Sequence, residues 1–95
     1  MSLSFEWDPA KARSNLQKHG VSFGEAATVL ADPLSITIAD PDHSHEEERF
    51  LVLGQSQAGH LLIVSITERG DFIRLIGARQ MTAHERRAYE YEIGR

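Results

Sequence analysis

The chain has 95 residues and no cysteine, is 41% hydrophobic and 25% charged, and carries a formal net charge of −4. That length fits a single domain, 1–95, with a modest core, and the missing thiols exclude a disulfide scaffold, a thiolate metal site and a cysteine nucleophile. No apolar run approaches the roughly 18 residues of a membrane span, and Met1 to Glu6 shows no basic segment ahead of an apolar stretch, so no membrane segment or signal peptide is expected and the composition fits the cytoplasm.

Asp8-Pro9 opens a helix: Asp accepts from exposed backbone N–H groups at the N-cap, and Pro suits the first helical position. This helix is expected to run to about His19, with Gly20 where a left-handed C′ residue is wanted. Ser22-Phe23-Gly24-Glu25 reads as a capping box, with Val21 and Ala26 placed as a hydrophobic staple. The second helix carries Phe23, Ala26, Ala27 and Leu30 on one face and stops at Asp32-Pro33. Leu34 to Ala39 reads as a short strand and Asp40 to Glu48 as a polar loop.

Three further strands follow, at about Arg49–Gln55, Leu61–Arg69 and Phe72–Ala78, separated by Ser56-Gln57-Ala58-Gly59 and Gly70-Asp71. Their short connections imply antiparallel hairpins. Thr82-Ala83-His84-Glu85 is a second capping box, opening a helix to about Ile93 with Met81 as its staple residue. The class is therefore α+β: two N-terminal helices, a four-stranded antiparallel sheet and a C-terminal helix. Helices on one sheet face would leave the other face free to be a site.

Net acidity argues against a strong non-specific nucleic-acid binder, but charge is unevenly spread. Asp40, Asp42, Glu46, Glu47 and Glu48 cluster, whereas Arg69, Arg74, Arg79, Arg86, Arg87 and Arg95 make the C-terminal third arginine-rich. A local patch can hold phosphate on a globally acidic protein.

Phe5-Glu6-Trp7-Asp8, Asn15, Lys18-His19-Gly20-Val21-Ser22-Phe23 and Glu25-Ala26 together resemble the N-terminal half of the BrnT toxins. So do Glu48-Arg49-Phe50, Gly54, Thr67-Glu68-Arg69, Ile73-Arg74, Ile76 to Arg79, Glu85-Arg86 and Tyr89-Glu90. One departure is visible: the family usually reads Ser-Ala-Arg where this chain has Gly77-Ala78-Arg79. The resemblance implies a RelE-like fold and a metal-independent ribonuclease without cofactor. It also implies neutralisation by a BrnA-type antitoxin in a hetero-oligomer. That antitoxin would bring a ribbon-helix-helix element, so operator DNA would be bound only through it.

A metal-free ribonuclease must take the 2′-hydroxyl proton, neutralise the crowded phosphorane and protonate the departing 5′-oxygen. His19 is the first acid–base candidate: it follows Ala12, Asn15 and Leu16 on one helical stripe, and a helix C-terminus favours imidazolium. Its plain alternative is a helix-end histidine that caps carbonyls or packs on the sheet. Arg69, Arg74 and Arg79 are the main candidate cations, because a guanidinium fork binds phosphate oxygens in pairs. A two-residue Gly70-Asp71 turn would set Arg74 opposite Thr67 and put Ser65, Thr67 and Arg74 on one face, away from Ile66, Leu75 and Ile73. The alternative for Arg74 is a salt bridge to Glu68 or Glu85. Arg79 leads into a helix N-terminus whose N–H groups are a second phosphate candidate.

Lys18, Trp7 and Tyr89 are candidate RNA contacts, through charge, base stacking and a phenolic donor. Each has a structural alternative: a solvated lysine, a tryptophan packing the first helix onto the sheet, and a core tyrosine. Glu85 fits its capping box better than catalysis. His43-Ser44-His45 with its acidic neighbours has zinc-like composition, but acidic loops are ordinarily solvated and no metal is expected. The competing function is a non-catalytic module whose arginine-rich sheet face binds protein or nucleic acid.

Overall fold

The computed structural model describes residues 3–43 and 47–94. The elements are β1 (Ser4–Glu6), α1 (Pro9–His19), α2 (Phe23–Thr28) running into a 3-10 turn at Val29–Ala31, β2 (Ile36–Ala39), a 3-10 turn at Pro41–His43, β3 (Arg49–Gln55), β4 (Leu61–Arg69), β5 (Phe72–Gln80) and α3 (Ala83–Glu92). The sheet has five strands in the order β1-β5-β4-β3-β2. β1 runs parallel to β5, and every other pair is antiparallel.

The expected four-stranded antiparallel sheet is thus corrected to a five-stranded mixed one. β1 is only three residues long, too short for period-two alternation to register. It exists because Phe5 joins the core and its backbone finds β5, almost seventy positions later, with Phe5 opposite Ile73.

Local signals set the helix ends. The Asp8 carboxylate accepts from Ala10 N, Pro9 takes the first turn, and Gly20 closes α1 with φ 69°, its N–H donating to Leu16 O. At α2 only half of the expected capping box forms. Ser22 Oγ accepts from Glu25 N, but the Glu25 carboxylate turns away to accept from Ser56 and pair with His60 in the β3–β4 turn. At α3 both halves of the Thr82–Glu85 box are present. β2 starts at Ile36 rather than Leu34, because Asp32 draws the Leu34 and Ser35 N–H groups into a turn.

The core lies on one sheet face. Val52, Leu62, Val64, Ile66, Leu75 and Ala78 meet Val21, Phe23, Ala26 and Val29 from the helical segment. Phe23 is 2% exposed and Leu62 fully buried, each contributing about 1.5–3 kcal/mol of hydrophobic stabilisation. The helices do not all share that face, as had been expected. α3 sits on the opposite one, where Tyr89 and Ala88 stand over Ile36, Leu53 and Ile63 beside an open apolar groove of about 500 Å³.

β4 and β5 are joined by the two-residue Gly70-Asp71 turn, which sets Arg69 opposite Phe72 and Thr67 opposite Arg74. The register then slips: Ile66 faces Leu75, but Ser65 faces Gly77, so Ile76 is an extra residue on β5. The bulge lets Leu75 and Ala78 both enter the core although they are an odd number of residues apart.

Candidate active site on the open sheet face

Pairing across the sheet orders the non-core face in rows. Arg49, Thr67 and Arg74 stand side by side on β3, β4 and β5, with Glu6 of β1 beyond Arg74. Leu51, Ser65 and Gly77 form the next row, and Leu53, Ile63 and Arg79 the third. Ser65 and Gly77 are the smallest residues on this surface, so the middle row is a depression between two arginine-bearing rows. The result is a cleft of about 540 Å³, with Ser65 and Gly77 at its floor and Arg49, Arg79, His19, Asp40, Asp42 and His43 among its lining residues.

His19 reaches this face from a helix that packs on the other because of Asn15. Beyond Arg74 the outer edge of β5 has no strand partner. Asn15 takes that place: Ala78 N donates to its Oδ1 at 3.0 Å, and its Nδ2 donates to Ala78 O at 2.9 Å. The same Nδ2 donates to Val21 O at 2.9 Å, tying down the α1–α2 connection. Asn15 is 9% exposed, so all three bonds are shielded from water and replaceable only at a cost. One helical turn later, His19 lies at the sheet edge and lines the cleft.

Arg79 forms a wall shared by the cleft and the apolar groove. It lies inside β5, not beyond it as the sequence had suggested. Its Nη1 and Nη2 donate to Glu85 Oε1 and Oε2 at 2.7 and 2.9 Å. This bidentate pair, with the Thr82 N–H as a further donor, holds the Glu85 carboxyl down to about 2. The same carboxylate raises the Arg79 pKa further. Glu85 therefore both caps α3 and fixes the guanidinium, and at the helix N-terminus expected as a second phosphate candidate the Thr82 and Glu85 N–H groups are taken by the capping side chains.

The other expected cations lie outside the cleft lining. Arg74 is on the predicted face and opposite the predicted Thr67, but it pairs with Glu6 at 3.5 Å rather than with Glu68 or Glu85. That partner was invisible without β1. Arg69 is exposed at the hairpin end, opposite Phe72. Trp7 packs edge-on against Phe23, with centroids 5.9 Å apart, on the core side. The Tyr89 hydroxyl donates to Leu34 O at 3.0 Å and its ring is buried, so it fastens α3 to the turn ahead of β2 and is not among the residues lining the cleft. Lys18 is exposed and, with Lys11, Ser14 and Ile76, lines a shallow annex that shares Asn15 and His19 with the main cleft.

The cleft holds residues that sequence reasoning had passed over. Arg49 pairs with Glu47 at 3.6 Å. An arginine heading an apolar strand, Arg49-Phe50-Leu51-Val52, is the same signal that singled out Arg74. In the sequence His43 reads only as a metal-ligand candidate; in the fold its Nδ1 lies 2.9 Å from Asp40 Oδ2. His45 and Glu46 of that loop lie outside the described residues. Among the described residues no three His, Asp or Glu side chains are gathered as a metal site, and no helix is long and apolar enough to cross a membrane.

The family model for the ribonuclease toxin BrnT, of type II toxin–antitoxin systems, matches residues 7–85. The chain belongs to the BrnT family. The crystal structure of the Brucella abortus ribonuclease toxin BrnT aligns with a TM-score of 0.63 at 19% identity, covering 85% of this chain and 99% of that one. At that identity the likeness bears on the fold, and it spans the BrnT sheet and helices almost completely. Comparison with curated proteins returns no match.

Proposed function

We propose that this BrnT-family chain is a metal-independent endoribonuclease that cleaves RNA by 2′-hydroxyl attack in the Ser65–Gly77 cleft and so inhibits translation in the cytoplasm. The observation that carries the reading is the meeting of His19 and Arg79, from α1 and β5, in one cleft, with Asn15 bolting the two elements together.

RNA lies with its scissile phosphate over the small floor residues, where nothing bulky blocks approach. Arg49 and Arg79 neutralise the phosphorane from opposite sides. Three of the five Arg79 N–H donors are engaged, two by Glu85 and one, at 3.3 Å, by Gln80 O, which leaves two for phosphate oxygens. His19 transfers a proton. Lys11 and Lys18 follow the RNA backbone along the annex. Arg69, Arg74, Trp7 and Tyr89 have no part at the scissile bond in this reading. The scaffold is RelE-like, and the partner is a BrnA-type antitoxin whose ribbon-helix-helix element binds operator DNA for the complex.

The test is cleavage of a single-stranded RNA by purified protein in EDTA, with analysis of the product ends. A 2′,3′-cyclic phosphate and a 5′-hydroxyl are expected. Arg79→Ala and His19→Ala should each lower the rate by about 10²-fold or more with the fold retained. Binding without turnover would instead favour the non-catalytic module, and a requirement for divalent metal would overturn the mechanism.

A further inference from the structure

The strand order β5-β4-β3-β2 places His19 at the β5 side of the cleft and His43, on the turn after β2, at the other. Proton transfer by one imidazole accounts for only half of the chemistry, since the attacking and departing oxygens lie on opposite sides of phosphorus in an in-line displacement. A single group would have to serve both positions in one transition state.

We propose that His43, positioned by Asp40, is the second acid–base group of the cleft, opposite His19. Three observations carry it. His43 lines the same cavity as His19, Arg49 and Arg79. Its Nδ1 is 2.9 Å from Asp40 Oδ2, which selects the tautomer protonated on Nδ1 and leaves Nε2 as the exchanging atom. Asp40 is itself fixed: it is 8% exposed, and its N–H donates to Arg49 O at 2.8 Å, where β2 meets β3. The ring, 63% exposed, keeps a side for a ligand. Among the described residues, the charged and titratable groups that line the same cleft are Asp40 and Asp42 beside it in the chain, Arg49 from β3, Arg79 from β5 and His19 from α1.

The step balances. One imidazole takes the 2′-hydroxyl proton as the O2′–P bond forms. The other, entering as imidazolium, gives its proton to O5′ as the P–O5′ bond breaks. The products are a 2′,3′-cyclic phosphate and a 5′-hydroxyl end, and solvent restores both rings. Asp40 touches no substrate and is a positioning residue.

The proposal rests on the ribonuclease reading, and the experiment separates the two. Single-turnover cleavage of a short RNA is followed from pH 5 to 9 for the wild type, His43→Asn, His43→Gln, Asp40→Asn and a control, His60→Asn, at the far end of the sheet. Wild type should give a bell-shaped profile. Both His43 variants should be about 10²-fold slower or more and lose one limb of the bell, while binding an uncleavable 2′-O-methyl oligonucleotide within a few-fold of wild type. Asp40→Asn should keep both limbs but displace one, and His60→Asn should match wild type.

If wild type cleaves and His43→Asn or His43→Gln keeps both limbs at near-normal rate, the His43 role is wrong and the ribonuclease reading stands. If wild type fails to cleave, both fall. Should the variants not fold, the His43 ring resonance of wild type decides: it must shift on titration with the 2′-O-methyl oligonucleotide, and an unmoved signal overturns the proposal.

Discussion

Asn15 and Ala78 are joined by a reciprocal pair of hydrogen bonds, side-chain amide to strand backbone, at 2.9 and 3.0 Å. The amide stands in for a missing neighbour strand and docks the end of α1 on the edge of β5. Asn15→Ala would leave Ala78 N–H, Ala78 C=O and Val21 C=O without their partner. The expected cost is about 2–4 kcal/mol, since a buried group left unsatisfied costs about 1–3 kcal/mol. Denaturant unfolding measures it. Cleavage measured below the new transition should fall further than the loss of folded protein explains, because His19 is no longer held at the cleft.

Glu85 couples the stability of α3 to pH. Its folded-state pKa, about 2, lies below the ordinary value of 4.5. The folded state therefore binds this proton less readily than the unfolded chain does. The stabilisation is complete above the unfolded value and is lost as pH falls from there through about 2. Glu85→Gln should lower stability at pH 6 by about 1 kcal/mol, a partly exposed ion pair and a weakened cap being modest terms. The difference between variant and wild type should shrink by pH 3, as urea midpoints at the two pH values will show. The same variant lifts the countercharge from Arg79 and should tighten RNA binding at low salt.

Position 77 has room. A Cβ there would meet Asn15 Oδ1 at 3.7 Å, an ordinary contact. Gly77→Ser, which restores the residue usual in the family, should change stability by less than about 1 kcal/mol. It puts a hydroxyl on the cleft floor beside Ser65, and the cleavage rate should equal or exceed that of wild type. A tenfold loss would mean that the phosphate needs this floor bare.

Gly54 has none. A Cβ on it would lie 3.0 Å from Asp32 Oδ2 and from Ser35 Cβ, and 3.1 Å from Val29 Cγ1. The 3-10 turn at Val29–Ala31 and the following chain cross β3 at this point, and Asp32 Oδ2 accepts from Gln55 N at 2.7 Å. Gly54→Ala should cost about 1–3 kcal/mol, the usual range for overpacking, read as a lowered melting temperature. Cleavage at low temperature should persist, since the residue faces the core side.

Much of the chain was legible from neighbouring residues. The caps at Asp8, Gly20 and Thr82 depend on groups within four positions of one another, and all formed as read. The Thr67–Arg74 pairing follows from a two-residue turn, and it carried the correct face for Ser65, Thr67 and Arg74. Glu25 marks where that legibility ends: a local capping signal competed with Ser56 and His60, more than thirty residues away, and the distant partners won.

The sequence by itself determined the caps at Asp8, Gly20 and Thr82, the β4–β5 hairpin and its faces, and the family to which the chain belongs, because backbone N–H groups, turn residues and alternation act over short separations. Only the tertiary structure decided that β1 completes the sheet, that Glu6 rather than Glu68 takes Arg74, that a bulge at Ile76 resets the alternation, and that His19, Arg49 and Arg79 share a cleft. Those outcomes depend on burial and pairing between segments tens of residues apart. No local pattern encodes which distant partner a strand edge or a guanidinium will meet.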